Sequence, residues 1–208
     1  MTRYLTNSIH SNHEPLAMRS PIYWNPKIYT FALRALYGNE LDKRWEVIKP
    51  LVGPNDRVLD LCCGDGEVRH HLPKTIHYMP ADANRTFISH FAREGYDARV
   101  VDVRHDAFPE ADTVLLMGAL CHIYPGHEAV IEKAKRAAKK RLIVVEPHVN
   151  WASRSGLLGR LAKVLSDPGV SGAHLGRLNR SQLEDIATRT NPTQVVRLER
   201  EYVFSYDK

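Results

Sequence analysis

A chain of 208 residues with 43% hydrophobic and 25% charged side chains holds enough apolar material for one domain with a sizeable core, and is too short for two comfortable ones. No apolar run approaches the roughly 20 residues a membrane-spanning helix needs. The three cysteines, adjacent Cys62 and Cys63 and distant Cys121, make no disulfide framework. A formal charge of +5 and a pI of about 9.1 suit an acidic substrate or nucleic acid and require neither.

Residues 1–20 are polar, rich in His, Asn and Ser, and lack the apolar stretch of a secretory signal. They read as a flexible arm, and the protein as cytoplasmic. Residues 21–52 read as an N-terminal helical cap to a single domain spanning 21–208. Its first helix follows Pro26 and is aromatic, with Tyr29 and Phe31 after Tyr23 and Trp24. Its second, over 41–51, places Leu41, Trp45, Ile48 and Leu51 near a helical period. Gly53-Pro54-Asn55-Asp56 breaks it.

From there strands and helices alternate. Short apolar runs predict strands at 57–62, at 76–81 ending on Asp82, at 98–101 ending on Asp102, at 112–118 and at 142–146. Helices are expected at 68–72, at 85–94 with Gly95 as C-cap, and across the Ala- and Lys-rich 128–140. This order implies a Rossmann-like α/β three-layer sandwich with a mostly parallel seven-stranded sheet. A Gly-punctuated excursion over 151–178 carries a basic amphipathic helix and reads as a lid-like insertion that covers a pocket or packs on the domain, ahead of contacting a membrane surface. A helix at 181–190 follows. Strands at 193–198 and 201–206, joined by Glu199-Arg200, form a final antiparallel pair.

The informative segment is Val58-Leu59-Asp60-Leu61-Cys62-Cys63-Gly64-Asp65-Gly66, where the first strand turns into a helix. Gly64 and Gly66 allow backbone angles a side chain disfavours, and Cys62 is small enough to lie under a ligand. A dinucleotide turn wants a third glycine where Arg69 stands. A sulfonium nucleoside carries no phosphate, and its ammonium suits the carboxylates of Asp60 and Asp65. Asp82 can accept from both ribose hydroxyls. Asp102 can receive an adenine amino group, with Val103 and Ala83 beside the ring. Met117 ends the fourth strand beneath the same crevice.

Val58 to Gly66 resembles the first motif of class I S-adenosylmethionine-dependent methyltransferases. Its Leu-Cys-Cys-Gly-x-Gly form is similar to that of the ubiquinone/menaquinone C-methyltransferase-like small-molecule enzymes. Leu120-Cys121-His122-Ile123 resembles their Leu-His-His-Ile stretch, with Cys121 in place of the first His. The resemblance implies S-adenosylmethionine as cofactor, S-adenosylhomocysteine as product, Asp60, Cys62, Gly64 and Gly66 at the methionine end, Asp82 at the ribose, and Asp102 with Val103 at the adenine.

Methyl transfer asks the protein to align a nucleophile and exclude water, with a base only where the acceptor must lose a proton. His122 is the first candidate base, weighed against a packing role, and His148 the second. Tyr29 and Tyr23 can close over the cofactor or pack in the core. A small-molecule acceptor is the leading reading; a nucleic-acid or protein substrate, and cofactor binding without turnover, are the alternatives. The basic run from Lys133 to Arg141 reads as a solvated helix face rather than a nucleic-acid footprint. No Asn/Asp-Pro-Pro motif follows the fourth strand, and the histidine spacings fit no structural zinc site. The acceptor, its atom and the oligomeric state are not set by the sequence.

Overall fold

The computed structural model describes residues 40–148 and 178–208. The expected arm, the helix with Tyr23 and Tyr29, and all but the last residue of the expected insertion lie outside them.

The described chain begins with α1 (Glu40–Ile48), closed by a 3-10 turn at Lys49–Leu51. The expected helix over 41–51 is cut short because Pro50 brings no N–H and its ring crowds the preceding turn. Next come β1 (Arg57–Leu61), the one-turn α2 (Val68–His71), β2 (His77–Asp82), α3 (Arg85–Arg93) and the two-residue β3 (Arg99–Val100). Then follow β4 (Ala111–Met117), α4 (Leu120–Ile123), α5 (His127–Ala137), β5 (Ala138–Pro147), α6 (Arg180–Thr190), β6 (Gln194–Arg197) and β7 (Glu201–Asp207).

The seven strands form one sheet in the order β3-β2-β1-β4-β5-β7-β6. The first five in sequence pair in parallel. β7 is antiparallel to both its neighbours, so it slots between β5 and β6 and joins the expected hairpin to the parallel body.

Strands buried on both faces explain the unbroken apolar runs. Leu59, Leu116, Leu142 and Val144 face one layer with Ile131 and Ala134 of α5 and Leu183 and Ile186 of α6. Val58, Leu115, Ile143 and Val145 face the other, with Trp45 and Ile48 of α1 and Phe91 of α3. Local chemistry starts the helices. Asn84 caps α3 by accepting from the Thr86 N–H at 2.9 Å, and Asn179 and Gln182 exchange side chain-to-backbone bonds in a capping box on α6.

A second expectation is corrected. The helix predicted over 128–140 stops at Ala137, and Ala138, Lys139 and Lys140 open β5. Ala138 pairs with Ala111 and Arg141 with Asp207, so ladder hydrogen bonds override the helix preference of Ala and Lys.

Candidate functional site

The chain leaves β1 to build β2 and β3 on one side, then returns to build β4 and β5 on the other. The switch falls between β1 and β4, and the crevice at their carboxyl ends is where open sheets of this kind bind ligands.

The turn after β1 borders it. Cys62, Gly64 and Gly66 all have left-handed backbone, with φ of 57°, 54° and 69°. Glycine adopts this freely; Cys62 does so against its Cβ, a feature the sequence reading missed. The turn is fastened by Gly66 N–H donating to the Cys63 carbonyl at 2.8 Å and by Cys63 N–H donating to the Ala81 carbonyl at 3.1 Å. A Cβ on Gly66 would lie 2.5 Å from Phe91 Cζ and 3.0 Å from the Tyr78 hydroxyl, so this glycine also brings the turn close to β2 and α3. Burial, and then the charges of Asp82 and Asp60, raise the thiols of Cys62 and Cys63 well above their ordinary value. That fits small inert side chains rather than nucleophiles.

The carboxylates differ. Asp60 is 1% exposed and accepts from the Tyr78 hydroxyl at 2.5 Å. Burial pushes its pKa up to about 7, against the Tyr78 bond, which favours the charge, and with help from Asp82 and Asp65. It underlies the turn and has a partner within the protein.

Asp82 is half-buried. Its Oδ2 accepts from Gly64 N–H at 3.0 Å and its Oδ1 from Asn84 N–H at 2.8 Å. Burial raises its pKa, opposed by these N–H groups and by that of Ala83. A carboxylate offers about four acceptor sites, so with three N–H groups on it about one remains for a ribose hydroxyl. Half-buried Ala83 follows directly.

Asp102 is engaged by Arg104, whose Nε and Nη2 reach Oδ1 and Oδ2 at 3.2 and 3.3 Å. Burial works against its charge, but Arg104 outweighs it and holds the carboxyl below its ordinary value. Val103, 6% exposed, sits between them. Half-buried Met117 ends β4, and Gly118 leaves the strand at φ 62° as its N–H donates to the Val145 carbonyl at 2.7 Å.

The candidate bases stand apart. His122 lies on α4 and lines a cavity of about 580 Å³ with Arg104, Tyr124 and Lys133. Glu146, fully buried at the end of β5, accepts from Leu120 N–H at 2.9 Å and so fixes the start of α4. Its signal in the sequence is a carboxylate inside an apolar strand. His148 is 9% exposed, accepts from Arg180 Nε at 3.0 Å through Nε2, and meets Tyr202 edge-on at 5.4 Å. Burial and then Arg180 lower its pKa. Tyr29 lies outside the described residues. Among the described residues, no helix is long and apolar enough to cross a membrane.

The chain matches no protein-family profile and no curated protein sequence. Solved structures do match it. Human N-acetylserotonin methyltransferase in complex with S-adenosylmethionine superposes with a TM-score of 0.59 at 15% identity, over 90% of this chain and 58% of that one. An O-methyltransferase family 2 protein from Planctomyces limnophilus, in complex with apigenin, gives 0.52 at 16%, over 88% and 60%. Magnesium protoporphyrin IX methyltransferase from Synechocystis, with bound S-adenosylhomocysteine, gives 0.52 at 14%, over 80% and 82%. The chain spans about three fifths of the length of the O-methyltransferases it matches.

At such identities the likeness defines the fold. The chain has the Rossmann-like fold of class I methyltransferases, with seven strands and β7 antiparallel. Its structural likeness extends to O-methyltransferases, and none of the three proteins named above carries the quinone C-methyltransferase name that the form of the first motif resembles.

Proposed function

We propose that this protein is an S-adenosylmethionine-dependent methyltransferase acting on a small-molecule acceptor. The observation that carries the reading is the left-handed turn at Cys62, Gly64 and Gly66, set at the switch between β1 and β4 with Asp82 hydrogen-bonded to its Gly64 N–H. Solved structures of this fold that hold S-adenosylmethionine or its product support the same reading.

The residues present fit such a group. The turn offers bare backbone for the methionine end, and Asp82 offers its remaining acceptor site to a ribose hydroxyl. Half-buried Ala83 and Met117 offer apolar surface for the adenine, and Val103 lies beneath it in the core. Asp102 would receive the adenine amino group on whatever acceptor capacity Arg104 leaves. Asp60 would act on the ammonium from beneath the turn, sharing its carboxylate with Tyr78. The bound cofactor would supply a methyl group already activated as a sulfonium.

The chain's own work is then to orient the acceptor, exclude water and, where the acceptor is acidic, take its proton. We assign that proton to His122, held in place through Glu146 and Leu120. His148 is the weaker choice because its Nε2 is occupied by Arg180.

The test is calorimetric titration of the full chain with S-adenosylhomocysteine and, separately, with NAD. Saturable binding of the first and none of the second is expected. Uptake of NAD with indifference to S-adenosylhomocysteine overturns the proposal.

A further inference from the structure

The cavity that His122 lines lies between the segment following β3 and the stretch that runs from α4 along α5 as far as Arg136. Among the described residues its wall presents three cations, Arg104, Lys133 and Arg136, and no carboxylate. Each cation is held differently. Arg104 spends Nε and one Nη on Asp102. Half-buried Lys133 donates to the Asp106 carbonyl at 2.6 Å and lies 4.3 Å from the Phe108 ring centre. An ammonium has three donors, so two remain. Arg136 is exposed at the rim.

Asp102 offsets Arg104 and the charge of Asp106 acts on Lys133, so three cations face two carboxylates and the wall keeps one positive charge in excess, with Arg136 at the rim. Its complement is a carboxylate or phosphate, the groups that Arg and Lys bind through charge-assisted hydrogen bonds. Size says more. A volume of about 580 Å³ far exceeds a bare oxyanion and falls in the range of sites for whole organic molecules. The rest of the wall includes Ile123, Val130 and the Tyr124 ring.

We propose that this cavity takes an organic anion, a small molecule with a carboxylate or phosphate on an apolar body, and that this is the class of methyl acceptor. The second half of the proposal rests on the methyltransferase reading, in which His122, a residue of this wall, takes the acceptor's proton.

The test uses three probes of one shape: 1-naphthoate, 1-naphthyl phosphate and neutral 1-naphthamide. Each is titrated into the full chain at fixed ionic strength with S-adenosylhomocysteine present. At least one anion should bind about tenfold or more tightly than the amide, the size of effect a charge-assisted bond confers. Preference for the carboxylate or for the phosphate assigns the natural group. Lys133→Gln and Arg136→Gln should each shrink the preference severalfold and leave affinity for S-adenosylhomocysteine unaltered. If Lys133→Gln unfolds, the exposed Arg136→Gln decides alone. Equal affinity for all three probes, or a preference that survives substitution, overturns the inference. Affinity for S-adenosylhomocysteine is read separately without probes. Its loss overturns the methyltransferase reading, whereas its presence with no preference for anions overturns the acceptor class alone.

Discussion

Tyr78 and Asp60 stand on neighbouring strands, and the phenol donates to the carboxylate at 2.5 Å in a place that is almost wholly sealed. The pair sits under the turn that the proposed cofactor would touch, so its protonation bears on stability and binding together.

Asp60 makes stability depend on pH in a defined direction. Below its ordinary value of 3.8 both folded and unfolded chains carry the proton. Between 3.8 and about 7 only the folded chain keeps it, so stability falls as pH rises, then levels off. Other carboxylates have their own trends, so the quantity to measure is the urea-unfolding free energy of wild type minus that of Asp60→Asn. The difference should decline from pH 4 to pH 7 by an amount on the order of a few kcal/mol. A flat or rising difference would show that Asp60 keeps an ordinary pKa.

Cys62 stands where left-handed backbone favours glycine. Relief of its Cβ contact, roughly 1–2 kcal/mol, should offset most of the entropy that glycine adds to the unfolded chain. Cys62→Gly should therefore unfold within about 1 kcal/mol of wild type, whereas the β-branched Cys62→Val should lose about 1–3 kcal/mol. Thermal melts of the three proteins rank them.

Gly66 has no space for a side chain, since a Cβ would press on Phe91 at 2.5 Å. Gly66→Ala should cost about 1–3 kcal/mol by overpacking and roughly 1 kcal/mol more by backbone strain at positive φ. Trimming the neighbour in Gly66→Ala/Phe91→Leu should return part of the packing loss but none of the strain. A double variant no more stable than the single one would show that Phe91 is not the obstacle.

Asp82→Ala should weaken S-adenosylhomocysteine by about tenfold or more. Asp82→Asn, which keeps one acceptor oxygen, should fall between. Because Asp82 also receives the Gly64 and Asn84 N–H groups, unfolding temperature is measured beside affinity. An unchanged affinity in a folded Asp82→Ala protein would place the ribose elsewhere.

His148 should titrate below its ordinary value of 6.5, because burial and then Arg180 disfavour its charge. Arg180→Met removes the second cause and should move the pKa upward without restoring it fully. Proton NMR of the imidazole across pH 4–8 reads both values.

Much of the fold around the candidate site was legible in advance, and for a physical reason. Strands covered on both faces must be apolar throughout, so Val58, Leu59 and Leu61 announce β1, and glycines at its end announce a turn. Asp82 closes β2, as expected, whereas the strand expected over 98–101 stops at Val100 and Asp102 follows two residues beyond it. The helix over 128–140 misled because Ala and Lys prefer helix in isolation, while β5 needed Ala138 and Arg141 for its ladders. Nothing local marked Tyr78 as the partner of Asp60, and Glu146 stood out only as a carboxylate inside an apolar run, with no local sign that it anchors α4.

The linear order of residues by itself determined the alternation of elements, the glycine turn and the acidic strand ends, because each depends on side chains within a few positions of one another. Only the tertiary structure decided that β7 lies between β5 and β6, that Tyr78 reaches Asp60, and that Arg104, Lys133 and His122 share one cavity wall. Those relations join segments distant in the chain, and they exist only once burial of both sheet faces has fixed which strands are neighbours.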